Sequence, residues 1–322
     1  MDIRDINEKR GNLIKSAIEN SLIPRNQIAA MSGLTNTYIL DLMQGKINNV
    51  NRYKLIAFAI SANLNVPEID EMLTVFDRAV LNKDDIGTIL KSAKKIKFSS
   101  TIHPLREELS YEFMVYAAEL FPAPTVFNLI HPTASLWVEG HRTYLGKDQN
   151  QGHALYSKIR EAIGLERKNS FTNNLSKYVT EHFIYKGDLE NYLLKCTDGQ
   201  EMYYRIKHLE QILLYLDRYP NFKFYITNVY HAFSFLLKEQ LEPKEKSGLV
   251  LFTGREYDSI IGKMAGHLSA FSTRNQLIVQ NFIADIEPLK KGIIEELLDC
   301  KKLISYFEDL IDRAKSISSS FR

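Results

Sequence analysis

Two cysteines and one tryptophan in 322 residues set the first limits. Cys196 and Cys300 are too few for a disulfide framework or a cysteine-ligated zinc site, which fits a reducing cytoplasm. No apolar run approaches the roughly 18 residues that span a bilayer, and the opening Met1, Asp2, Ile3, Arg4, Asp5 lacks the apolar core of a secretion signal. The expectation is a cytoplasmic protein with no membrane partner. Also missing are a glycine-rich phosphate loop of either common spacing, a His-Glu-x-x-His zinc helix and a Gly-x-Ser-x-Gly elbow. Those absences close the dinucleotide route and point away from an enzyme and from any cofactor. Net charge is small too: 41 basic against 39 acidic side chains give +2, so any argument for an acidic partner must rest on local clustering. Neither repeats nor low-complexity tracts occur, and the 45% hydrophobic, 25% charged composition is that of an ordinary globular chain long enough for two packed units.

What the chain does have is a patterned stretch from Pro24 to Leu64. The spacing predicts a short helix over Arg25 to Met31, a tight Ser32-Gly33-Leu34 turn and a second helix from Thr35 towards Gly45. Ile28 and Ala29 supply an apolar anchor and a small residue that lets two helices approach, and Gly33 can take the positive φ that a sharp turn needs. Thr35 is placed to cap the second helix, with Ile39 and Leu42 facing inward at i+4 and i+7. Asn36, Thr37, Tyr38 and Asp41 then face outward. Gly45 with Lys46 stops the helix, Asn48 and Asn49 form a loop, and further helices follow over Arg52 to Ser61 and Pro67 to Phe76.

At these residues the chain resembles the lambda-repressor-like, or XRE, family of helix-turn-helix regulators. The family order of leucine-alanine, small-glycine-aliphatic turn, serine-x-serine-x-isoleucine and glycine-lysine is met by Ile28-Ala29, Ser32-Gly33-Leu34, Thr35-Asn36-Thr37-Tyr38-Ile39 and Gly45-Lys46. The chain departs from it at Pro24, Arg25 and Met43, where the family favours a cap, glutamine and glutamate, and at Leu40 and Asp41, where polar or basic residues are usual. The resemblance covers about the first quarter of the chain and implies that the second motif helix lies in a DNA major groove.

Local charge agrees with that implication. From Lys9 to Lys54 there are seven basic residues (Lys9, Arg10, Lys15, Arg25, Lys46, Arg52, Lys54) and two acids (Glu19, Asp41), and seven minus two leaves an excess of five. Arg25, Lys46 and Arg52, with Asn26 and Asn49, lie at helix ends and loops suited to phosphate contact, and Gln27 is counted with them among the DNA-binding residues. Thr35, Asn36, Thr37 and Tyr38 are placed for the duplex groove, where Asn36 could pair with adenine in two hydrogen bonds. Asp41 either accepts from a cytosine amine or holds Arg25 or Lys46. The small surface of one such unit implies a homodimer on a two-fold site.

The fold expected is an all-α helix-turn-helix N-terminal domain (1–80), a helical, lysine-rich linker (81–100) and a mixed α/β C-terminal domain (101–322) ending in a long helix. Lys91, Lys94, Lys95 and Lys97 mark the linker, as phosphate contacts or as a solvated helix face. Beyond it, helices are expected over Phe113 to Leu120, His153 to Ile163 and Glu201 to Tyr219. Extended runs are expected at Thr125 to Ile130 and, as adjacent strands, at Phe222 to Thr227, Ala232 to Leu237 and Leu249 to Phe252. Their order resembles phospholipase-D-like sensor domains, but the His-x-Lys-x-x-x-x-Asp signature is absent and no hydrolase is implied.

From Pro288 onward, Ile293, Leu297, Cys300, Ile304, Phe307, Ile311 and Ala314 recur at coiled-coil spacing. This seam serves a dimer interface through Ile293, Leu297, Ile304, Phe307 and Ile311, or it packs on its own sheet, since Leu298, Leu303 and Leu310 broaden it. Arg255, Lys263 and Arg274 could cradle an anionic ligand, or simply belong to a solvated loop. His131, His141 and His153, with Glu139 and Asp148, match no established metal frame.

The function expected is a dimeric, sequence-specific transcriptional regulator, a repressor by type, with room for a small-molecule or protein effector. The alternatives are a DNA-targeted enzyme or effector whose active site lies in the C-terminal domain, and an antitoxin-like or phage-type repressor with a protein partner.

Overall fold

The computed structural model describes residues 3–47, 49–105, 107–132, 138, 140, 154–239, 249–254 and 270–319. The N-terminal part is helical: α1 (Ile3–Ser21), α2 (Arg25–Ser32), α3 (Asn36–Met43), α4 (Arg52–Ser61), α5 (Val66–Val75) and α6 (Ile86–Ala93), with a 3-10 turn at Lys83–Asp85 before α6. The helix ends fall where side chains satisfy free backbone groups. Gly33 closes α2 at φ 68°, in the left-handed region. Thr35 opens α3, its hydroxyl accepting from the Tyr38 N–H at 3.1 Å. Asn51 accepts from Tyr53 N–H at 2.9 Å to open α4, and Asn65 with Glu68 forms a reciprocal capping box on α5. Each cap contributes about 1 kcal/mol.

Helix α1 has no counterpart among the expected helices, yet it fixes α3. A Cβ on Gly11 would lie 2.5 Å from the Met43 carbonyl oxygen, and one on Gly45 would lie 2.6 Å from that of Asn7. Only glycine permits so close an approach of the two backbones.

Past residue 100 the chain builds a seven-stranded mixed sheet. Its strands are β1 (His103–Leu105), β2 (Thr125–Leu129), β3 (Thr180–Tyr185), β4 (Phe222–Thr227), β5 (Phe233–Lys238), β6 (Leu249–Gly254) and β7 (Ala270–Thr273), in the order β1-β7-β6-β5-β2-β3-β4. The β2, β3 and β4 strands run parallel, and the remaining pairs are antiparallel. Parallel pairs need crossovers, which α8 (Ala154–Leu175) supplies for β2 to β3, and α9 (Lys186–Leu194) with α10 (Gly199–Arg218) for β3 to β4.

The runs expected at Phe222 to Thr227 and Ala232 to Leu237 fall on β4 and, one residue further on, β5, but these two strands are not neighbours. β5 pairs with β2, so residues 228–232 pass the ends of β3 and β2, about 14 Å at three strand spacings.

Alternation along the strands divides two layers. His182, Ile184, Phe224, Ile226 and Leu236 face α7 (Glu108–Glu119), α8, α9 and α10, while Val126, Phe183, Phe235 and Leu237 face α11 (Gln276–Lys291).

The lysine-rich segment is no free linker. Leu81, Ile89, Leu90 and Ala93 are buried in the same apolar cluster as Ile28, Ile39 and Phe58, and that cluster continues into Leu109, Phe113 and Tyr116 of α7 and Ile159 and Ile163 of α8. Hydrogen bonds cross the same junction: Asn63 Nδ2 donates to the Pro104 carbonyl at 2.9 Å, and Ser110 Oγ to that of Ile60 at 2.8 Å. Beneath it, the buried Arg167 guanidinium joins α8 to α7 through Glu112 at 2.9 Å and Glu119 at 3.0 Å. The bundle and the sheet therefore share one packed interior.

The expected continuous C-terminal helix is broken. α11 ends at Lys291, residues Ile293 and Ile294 run along the edge of β4, and α12 (Cys300–Ser319) starts afresh. On β4 the Ile294 N–H bonds to the Ile226 carbonyl at 3.0 Å. In α12 the buried stripe is Leu303, Phe307, Leu310, Ile311 and Ala314, packed against α9, α10 and the sheet, with the Phe307 ring 5.4 Å from Phe224. The dimer interface expected at Ile293, Leu297, Ile304, Phe307 and Ile311 is thus corrected. Phe307 is wholly buried in its own chain, Ile293 packs beside the sheet, Ile304 and Leu297 are half-buried, and Cys300 is exposed.

Candidate nucleic-acid interface

Helix α3 presents a narrow outward stripe because both its other faces are occupied. Ile39 and Leu42 are buried in the bundle, and the C-terminal turn is pinned on α1 at Gly11 and Gly45. Asn36 and Thr37 are exposed, Leu40 and Asp41 are half-exposed, and Gln44 continues the stripe eight residues from Asn36. Gln44 was missing from the residues singled out by sequence, although its i+8 spacing was readable.

Polar contacts orient this stripe. Arg25, half-buried at the start of α2, donates from Nε to Asn36 Oδ1 at 2.8 Å, fixing which end of the Asn36 amide faces away. Tyr38 is half-buried, with its ring under the Lys54 ammonium at 4.2 Å, and burial raises its phenol pKa. The Tyr38 ring is therefore packed on α4 rather than projecting beside Asn36. Asn26, Thr35 and Lys46 are exposed.

Two expected contacts are corrected by their surroundings. Gln27 is only 4% exposed, and its Nε2 donates to the Ile102 carbonyl at 3.2 Å, so it fastens α2 to the approach of β1. Arg52 donates to both Asp85 carboxylate oxygens and to the carbonyls of Ala79 at 2.8 Å and Val80 at 2.7 Å. Asp85 is the leading cause that raises the Arg52 pKa. With its donors engaged inside the bundle, Arg52 clamps the segment after α5 and has little left for a phosphate.

Asn49 is exposed and accepts from Arg78, which also donates from Nε to the Val50 carbonyl at 2.9 Å. Arg78 was not singled out by sequence. It lines a hollow of about 410 Å³ with Asn49, Val50, Asn51 and Arg52. Asn48 lies outside the described residues.

The local charge excess needs the same correction. Arg10 is buried and paired with Asp77, and Arg52 is paired with Asp85, so removing these two from the excess of five leaves three. Lys9, Lys15, Lys46 and Lys54 are exposed, and they carry the positive surface of the unit together with Arg25.

Of the anion cradle expected of the C-terminal part, Arg274 alone lies among the described residues. Arg255 and Lys263 lie outside the described residues, and Arg274 follows the far end of β7. There its N–H bonds to the Ser99 carbonyl at 2.8 Å and its guanidinium lies over the Phe121 ring at 5.4 Å. His131 stacks on Tyr192 at 6.0 Å, while Glu139, His141, Asp148 and His153 lie outside the described residues. Among the described residues, no three potential metal ligands gather, and no helix is long and apolar enough to cross a membrane.

No protein-family profile, curated protein or solved structure matches the chain.

Proposed function

We propose that this chain is a sequence-specific transcriptional regulator of the repressor type that binds double-stranded DNA as a homodimer and performs no catalysis. One observation carries the reading: α3 is capped by Thr35, is held from behind by α1, and exposes Asn36 and Thr37 at the end that would enter a groove. Asn36 and Thr37 read base edges, and Arg25, Asn26, Lys46 and Asn49 flank them for phosphate contact.

The core shared by bundle and sheet bears on how an effector would act. With Gln27 and Asn63 bonded to the carbonyls of Ile102 and Pro104, the head has no loose tether within its own chain. An effector bound to the C-terminal part would therefore change how two heads are spaced in the dimer. Because the α12 stripe is occupied internally, dimerisation uses another surface. The experiment is binding of the purified chain to a pool of duplex fragments, with wild type expected to enrich a subset and Asn36→Ala with Thr37→Ala to lose that enrichment. Equal retention of every fragment by the wild type would reject the reading.

A further inference from the structure

The lysines after α6 carry an inference that rests on the DNA-binding reading and extends it. From Ile86 to Ile102 the chain contains no aspartate or glutamate, but Lys91, Lys94, Lys95 and Lys97 are all exposed. Among the described residues none of the four forms an ion pair. Their backbone is not free to wander, because Ile89, Leu90 and Ala93 anchor α6 in the bundle core and Ile96 and Phe98 pack against it.

Where that anchored segment runs is the decisive point. A Cβ placed on Gly33 would sit 3.6 Å from the Lys95 Cβ, and the Lys97 N–H reaches the Ala30 carbonyl at 3.5 Å. The lysines thus border the turn that joins α2 to α3. Gly33 precedes Asn36 by three residues, a chain reach of at most about 10 Å, and the major groove is about 12 Å wide between its phosphate rails. A lysine whose Cβ lies beside Gly33 therefore has a phosphate rail within side-chain reach when Asn36 lies in the groove.

We infer that Lys94, Lys95 and Lys97 form a second phosphate-contacting strip, so that the duplex backbone is gripped on the turn side of α3 as well as at Arg25 and Lys46. Duplex DNA fits the strip better than a folded acidic protein would, because the lysines are single-signed, flexible and aligned with the element that enters the groove.

The test compares wild type with a triple variant, Lys94→Gln, Lys95→Gln and Lys97→Gln, on one preferred duplex across salt concentrations. The slope of log binding constant against log salt should become shallower by about 0.9 for each lost contact, two to three units in all. The ranking of duplex sequences should stay unchanged. The corresponding triple arginine variant should keep the wild-type slope, whereas Asn36→Ala should alter the ranking and leave the slope intact. A glutamine variant with the wild-type slope overturns this inference while leaving the DNA-binding reading in place. A wild type that binds no duplex overturns both.

Discussion

The Arg25 guanidinium donates to the Asn36 side-chain oxygen at 2.8 Å across the turn between α2 and α3. Through this bond, the residue proposed for phosphate contact also sets the orientation of the one proposed for base contact. The two substitutions should therefore be non-additive. Arg25→Ala should weaken binding to every duplex and also blur preference at the Asn36 position, with a coupling of about 0.5–3 kcal/mol in a double-mutant cycle. Strict additivity, measured by fluorescence anisotropy on preferred and scrambled duplexes, would show that the bond does not organise the reading face.

Arg52 should behave as a fold residue. It donates to Asp85, which is only 2% exposed, and to two backbone carbonyls. Removing it leaves the buried Asp85 carboxylate without its cation, though it still accepts from the Asn82 N–H at 2.8 Å, so Arg52→Ala should lower stability by about 3 kcal/mol. Urea denaturation measures that loss, and the salt slope of DNA binding by the fraction that remains folded should match wild type.

Two buried histidines make stability fall in acid. Burial lowers the His103 pKa to about 4 and the His182 pKa to about 3. The His182 ring is enclosed by Phe127 at 4.5 Å, Phe222 at 5.0 Å, Phe171 at 5.8 Å and Phe224 at 5.9 Å. The unfolded chain takes up protons as pH drops below about 6.5, while the folded chain refuses them until much lower pH. Each histidine's contribution is therefore complete above about pH 6.5 and declines below it by roughly 1.4 kcal/mol per pH unit. His182→Leu should remove one such increment from the slope of unfolding free energy between pH 6 and 4. An unchanged slope would mean that His182 is protonated in the folded protein.

Phe307 should report on the fold and not on assembly. With its side chain fully buried against Phe224, Phe307→Ala should cost about 3–5 kcal/mol. Light scattering on the folded fraction should show an unchanged mass. Ile304→Glu, at a half-buried position, should be milder and should likewise leave the mass in solution unchanged.

These outcomes follow the line between what the sequence disclosed and what it did not. Gly33, Thr35 and the 3.6-residue spacing of Ile39 and Leu42 act over a few residues, so the two motif helices and their turn were legible. Long-range partners were not. Nothing local to Arg52 or Gln27 announces Asp85 or the Ile102 carbonyl, and two residues that read as surface contacts are internal ties. Composition hid β3 and α9, because β3 opens on the polar Thr180, Glu181 and His182 and its last residue, Tyr185, passes directly into the helix. The heptad spacing after Pro288 described a real apolar stripe, but a seam and a core-facing helix share that pattern. The distinction lies in what packs against Phe307, which spacing does not encode.

The central claim is that the exposed N-terminal end of α3 reads duplex DNA, and selection from a randomised duplex library at two salt concentrations tests it most directly. The account predicts a two-fold-symmetric enriched sequence whose preference disappears in the Asn36→Ala, Thr37→Ala variant, with affinity falling steeply as salt rises. An absence of enrichment by the folded wild type at both salt concentrations would contradict it.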